Sequence, residues 1–153
     1  HPQRFDAVER LCQDAGFSVS RRSRWLGSPQ AADIWLGDSL GEMALYFGLA
    51  DAALLGGSFA PLGGQNLIEA AACDCPVFMG PHTFNFAQAA ELAQEAGAAF
   101  EVQDLAQAVD QAMVLVQDAA ALQQARSSAR SLGLANRGAA LRTAQAVQAL
   151  LGV

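Results

Sequence analysis

The sequence contains no lysine: all nine basic side chains are arginine, against fifteen acidic ones, for a formal net charge of −6. That lack, like the abundance of alanine, reads as compositional bias rather than function. The acidic balance does exclude a class of partner. Nucleic-acid binding needs a clustered basic face, and the one basic cluster, Arg21, Arg22 and Arg24, has too few neighbours to build it. No apolar run approaches the roughly 20 residues needed to cross a bilayer, and no secretory signal pattern is present. Cysteine is scarce too. Cys12, Cys73 and Cys75 are odd in number and lack framework spacing, which suggests a reducing compartment. Cys73-Asp74-Cys75 has no second ligand pair, and His1 and His82 have no ligand-spaced companions, so no metal site is expected. The thiols are expected to be ordinary buried or half-buried ones. Several motifs are missing as well: a nucleophile elbow, a P-loop lysine, and a G-x-G-x-x-G opening a helix directly after a strand.

What is present is a globular composition, 52% apolar and 16% charged over 153 residues. That is enough for one domain with a real core, and no linker or internal repeat divides it. The chain opens at His1-Pro2 without Met, so it is expected to be a piece of a longer protein.

Helix and strand patterns alternate along the chain. Phe5, Val8 and Leu11-Cys12 predict a helix over about 3–14, stopped by Gly16. Short strands are predicted at 17–19, 32–36, 52–55, 76–79 and 99–102. Helices are predicted at 40–48, 67–73 and 86–96, with a loop over 20–32. From about 104 the chain reads as a helical tail interrupted at Gly133 and Gly138. Continuous apolar strands alternating with helices imply an α/β fold: a Rossmann-like, doubly wound parallel sheet covered on both faces. Ligands in such folds sit outside the carboxyl ends of the strands, which directs attention to the loops at 37–42, 56–66 and 80–86.

Two of those loops share a pattern. Ser39 with Glu42, and Asn66 with Glu69, have capping-box spacing at predicted helix starts. Either pair alone is accounted for by capping, worth about 1 kcal/mol. Two at one sheet edge also offer backbone N–H groups to a phosphate, and Gly41, Gly63 and Gly64 let a ligand approach the backbone. A carboxylate there repels phosphate but accepts hydrogen bonds from ribose hydroxyls, so Glu69 is the candidate ribose ligand. In the third loop, Gly80-Pro81-His82-Thr83-Phe84-Asn85-Phe86, His82 is a candidate ligand contact or proton carrier, Asn85 a candidate helix cap, and Phe84 and Phe86 core or interface residues.

Three stretches resemble one family in the same order: Ile34-Trp35-Leu36-Gly37-Asp38-Ser39-Leu40-Gly41-Glu42, Gly63-Gly64-Gln65-Asn66-Leu67-Ile68-Glu69-Ala70-Ala71, and Val77-Phe78-Met79-Gly80-Pro81-His82-Thr83-Phe84-Asn85-Phe86. The family is that of the lipid A Kdo (3-deoxy-D-manno-octulosonic acid) transferases, and the opening His1-Pro2-Gln3-Arg4-Phe5 looks like the end of its R-H-P-x-R-F stretch. Leu67 stands where the family often has Pro, and Gln65 where some members have His.

The resemblance covers the whole chain and implies the C-terminal half of a GT-B glycosyltransferase. Residues 1–153 would be a single CMP-Kdo-binding domain, with the acceptor domain absent. It implies that Leu40, Gly41, Glu42, Asn66, Leu67, Ile68 and Glu69 line the CMP site. It places the catalytic carboxylate, the lipid A precursor and the membrane contact on the missing half, at the cytoplasmic face of the bacterial inner membrane, with inversion at the anomeric carbon. No catalytic residue, cofactor or metal is expected in this chain, and the fragment alone is expected to bind nucleotide without turnover. Two other readings remain open: the donor domain of a GT-B enzyme using a UDP-sugar, transferase or epimerase, and a non-catalytic interaction domain.

Overall fold

The computed structural model describes residues 2–151; His1 of the opening motif lies outside them. The chain divides into two compact units, His1–Tyr46 and Phe47–Val153.

In the first unit, α1 (Phe5–Asp14) follows a 3-10 turn and packs on the parallel strands β1 (Val19–Arg21) and β2 (Ile34–Leu36). Gly16 ends α1 as expected: at φ +89 it adopts a conformation that disfavours a Cβ, and the N–H groups of Gly16 and Phe17 cap the carbonyls of Gln13 and Cys12. The inward face differs from the expected one. Leu11 is exposed and Glu9 is buried, because Glu9 takes Arg21 at 3.1 Å and Arg24 at 2.7 Å. The first strand also starts two residues later than its apolar run. Asp33 Oδ2 accepts from both the N–H and the hydroxyl of Ser18, which holds residue 18 as the lead-in to the β1–β2 pairing. Part of the expected 20–32 loop is therefore strand and 3-10 turn (Arg22–Arg24).

In the second unit, β3 (Ala53–Leu55), β4 (Val77–Met79) and β5 (Ala99–Glu101) form a parallel sheet with β4 central. Successive side chains of a strand point to opposite faces, and β4 obeys this. Val77 and Met79 enter a core with Leu67, Ala70, Ala71, Ala90, Ala93, Ala129 and Leu132, while Phe78 enters a second core with Val102 and Ala108. Residues of α3 (Ile68–Ala72), α4 (Ala87–Glu95) and α6 (Ala119–Asn136) thus line one core and those of α5 (Leu105–Gln117) the other. Two-sided burial is what a continuous apolar strand requires. Phe78 stacks on Phe100 at 5.0 Å between ring centroids, and burying such a side chain contributes about 2–3 kcal/mol. Among the described residues, the five strands are divided between a two-stranded and a three-stranded sheet, a division that the alternating pattern does not reveal.

The tail is helical as expected, with one correction. Gly138, at φ +73, separates α6 from α7 (Ala139–Leu151), but Gly133 interrupts nothing and lies buried inside α6. It is there because α3 packs against α6 at that point, and a Cβ on residue 133 would stand 2.9 Å from Ala71 O and Ala72 Cα. Gly48, expected to close its helix, likewise sits inside α2 (Met43–Leu49). Among the cysteines, Cys75 is buried and Cys12 and Cys73 are half-buried, and burial pushes the Cys75 thiol up to about 11. Asp74 between them takes a left-handed φ of +58, with its carboxylate held by Nε and Nη2 of Arg130.

Candidate functional site

The loop after β2, residues 37–42, is built around two carboxylates. Asp38 accepts from the N–H and hydroxyl of Ser23 at 2.8 and 2.6 Å and from Arg21 Nε at 2.7 Å. Burial raises the pKa of this carboxyl, but those three donors outweigh burial and hold it at about 2. Arg21 also reaches Asp6 at 2.5 Å, so the ends of β1 and β2 and the start of α1 are tied through one guanidinium. Glu42 is the second carboxylate. Its Oε1 accepts from Arg22 Nη2 at 2.7 Å, and its Oε2 accepts from the Ser39 hydroxyl and from Tyr46 at 3.3 Å. Ser39 and Tyr46 hydroxyls are themselves 2.7 Å apart. The Ser39 hydroxyl above all, with Arg22 and Tyr46, holds the Glu42 carboxyl below its ordinary range, against burial.

This is not the capping box that the Ser39–Glu42 spacing suggests. In that motif the serine oxygen accepts from a backbone N–H, whereas here it donates to the carboxylate. The first helical bonds of α2 are accepted by the Glu42 carbonyl, from Leu45 and Tyr46 N–H. Ser39 and Glu42 therefore fold the loop on itself, leaving Leu40 83% exposed and Gly41 at φ +79 on its outer turn.

In the second unit, the loops 56–66 and 80–86 are laced together. Ser58 is fully buried; its hydroxyl donates to Leu55 O at 2.5 Å and accepts from Gly80 N at 2.8 Å, and its carbonyl accepts from His82 N at 3.1 Å. Further along, Asn85 N donates to Gly63 O at 3.1 Å, and Asn85 Nδ2 reaches Leu62 O. The side chain of Asn85 thus bridges the loops instead of capping α4, whose start has no side-chain cap. Gly63 and Gly64, at φ +90 and +83, let the two strands of this lace approach: a Cβ on Gly64 would sit 3.3 Å from His82 O.

That lacing delivers Asn66 to the start of α3. Asn66 Oδ1 accepts from Ile68 N at 3.1 Å, and its Nδ2 donates to Glu69 Oε1 at 3.3 Å. The expected capping box is not formed: Leu67, not Asn66, is the N-cap of α3 and has no side-chain cap, and Glu69 meets Asn66 side chain to side chain because Asn66 turns its amide over the Ile68 N–H. Glu69 is exposed, Ile68 half-buried and Leu67 only 2% exposed, because the Leu67 side chain is part of the core beneath α3. The N–H of Ile68 is already taken by Asn66. With seven residues in α2 and five in α3, neither helix sums much of a macrodipole. Sequence reasoning missed Arg22, Tyr46, Asp38 and Ser58. Of these Arg22 had a signal as one of the three clustered arginines, and Asp38 as part of the 34–42 stretch.

Parallel strands, helices on both faces of the larger sheet and glycine-turn loops following the strands define a Rossmann-like α/β architecture. A solved structure, the C-terminal CMP-Kdo binding domain of WaaA from Acinetobacter baumannii, matches 86% of the chain and is itself covered over 69% of its length, with a TM-score of 0.79 and 31% identity. The 3-deoxy-D-manno-octulosonic acid transferase of Bordetella pertussis is 48% identical over 153 residues, and that of Haemophilus influenzae 34% identical over 151, each match covering 99% of the chain. The chain belongs to the 3-deoxy-D-manno-octulosonic acid transferase family and has the fold of the C-terminal half of a GT-B glycosyltransferase. It spans 36% and 34% of the length of those two curated relatives, about a third of a full transferase. No protein-family model matches it.

Proposed function

We propose that this chain binds the CMP-Kdo donor of a transferase that moves Kdo to a lipid A precursor. The observation that carries the reading is the likeness, over 86% of the chain, to a domain described as binding CMP-Kdo. Residues 1–153 act as one donor-binding part. The acceptor, the catalytic base and any contact with the cytoplasmic face of the inner membrane belong to the remainder of a longer protein. Leu40, Gly41 and Glu42 in one unit, and Asn66, Leu67, Ile68 and Glu69 in the other, contribute to CMP binding. Backbone N–H groups serve the phosphate, and Glu69 serves the ribose hydroxyls. His82, which the lacing to Ser58 holds by its backbone, is a further candidate contact. The fragment binds without turnover, because transfer needs donor, acceptor and base assembled in one place.

Thermal melts with added nucleotide test the reading. A ligand at a hundred times its dissociation constant stabilises by about 2.7 kcal/mol, which for a chain of this size raises Tm by roughly 5–10 °C. CMP is expected to do so, and UDP to do much less. Stronger protection by UDP would favour the UDP-sugar reading, and no protection by either would favour an interaction domain. Glu69→Ala is expected to weaken CMP about tenfold, the loss of one charge-assisted hydrogen bond. Unchanged affinity would reduce Glu69 to a partner for Asn66.

A further inference from the structure

We propose that Arg22 is a positioning residue for the Leu40–Gly41 turn, acting through Glu42. The inference rests on the reading of residues 40–42 as part of the donor site. Both Glu42 oxygens are engaged inside the loop, one by Arg22 and the other by Ser39 and Tyr46. The carboxylate is thus committed to shaping the turn, and Glu42 contributes to the donor site through its backbone. Its charge also matters. A carboxylate beside a phosphate site repels the phosphate, and the attached Arg22 guanidinium cancels that charge at 2.7 Å.

Arg22 is well held for this task. It lies 5.3 Å over the Trp25 ring, and Trp25 is fixed by its N–H donating to Ser20 Oγ at 2.8 Å and by edge contact with Trp35. The 3-10 turn Arg22–Arg24 that carries it is anchored by Ser23 on Asp38, a residue of the same 37–42 loop. The loop is therefore gripped twice, by Ser23 and Arg21 at Asp38 and by Arg22 at Glu42. From the other side, the Tyr46 ring fills the space where a Cβ on Gly37 would stand. Between the two grips lie only Ser39, Leu40 and Gly41, and the left-handed φ of Gly41 sets the direction of the turn.

The test is amide NMR of the 153-residue chain titrated with CMP. In the unchanged protein, CMP is expected to shift the resonances of Gly41 and of residues 66–69. In Arg22→Ala the Gly41 response is expected to disappear while that of residues 66–69 persists, with affinity down about tenfold. Arg22→Lys, which keeps the charge, is expected to restore the Gly41 response and stay within about threefold of the unchanged protein. A Gly41 response and affinity unaltered by Arg22→Ala overturn the inference and leave the donor reading standing. No CMP response anywhere in the unchanged protein overturns the donor reading and this inference with it. If Arg22→Ala does not fold, Ser39→Ala carries the same test from the other carboxylate oxygen: a lost Gly41 response supports the inference and a retained one overturns it.

Discussion

Gly80→Ala is expected to destabilise the protein by about 3–4 kcal/mol, combining overpacking with the loss of a buried hydrogen bond. A Cβ at residue 80 would stand 2.5 Å from Ser58 O, 2.9 Å from Phe59 Cδ1 and 3.0 Å from Phe59 Cα. Two of those three atoms are backbone and cannot rotate aside. Relief requires the chain after β4 to move off the 56–59 turn. That movement breaks the bond from Gly80 N to Ser58 Oγ and the bond from His82 N to Ser58 O, in a place from which water is excluded. The expected fall in Tm is roughly 10 °C, read by calorimetry, with a matching drop in the urea midpoint. A loss below about 1 kcal/mol would mean that the 80–86 loop is not seated on Ser58 in this way.

Gly133→Ala is expected to cost about 2 kcal/mol, against the sign that helix propensity suggests. In an open helix, replacing Gly by Ala stabilises by about 1 kcal/mol. Residue 133 is not in the open: its Cβ would press on Ala71 O, Ala72 Cα and Ala71 C at 2.9–3.0 Å, so α6 must back away from α3 and loosen the core around Ala129 and Leu132. Gly48 is the control. It too lies inside a helix, but nothing stands within 4 Å of its Cβ, so Gly48→Ala is expected to be neutral or stabilising by up to about 1 kcal/mol. Opposite signs at the two positions, measured by denaturant unfolding, are the expected result. Stabilisation at both would show that the α3–α6 contact is looser than described.

The same pair of glycines shows what could be read from the sequence. A glycine ending an amphipathic run signals its conformation locally, and Gly16 and Gly97 both end their helices at positive φ as such runs predict. A glycine inside a helix because another backbone lies against it carries no local mark, so Gly133 looked like a break. The order of elements was legible because the Val77–Met79 and Ala99–Glu101 segments are apolar enough to need cover, and α1 and α4 end at the glycine stops Gly16 and Gly97. The division of the strands into two sheets was not legible, since it depends on which strands pair and not on any one of them. The candidate site divides in the same way. Spacing found Asn66 and Glu69, whose bonds are local, within three residues. It misjudged Ser39, because the decisive partners of Glu42 include Arg22, twenty residues away, and it missed Ser58, whose partner Gly80 is twenty-two residues on.

Binding of the donor nucleotide is the central claim, and calorimetric titration of CMP into the folded 153-residue chain tests it most directly. The expected result is saturable heat with one CMP per chain and a dissociation constant in the millimolar range or tighter. No heat at millimolar CMP, from protein whose melting transition shows it to be folded, would contradict it.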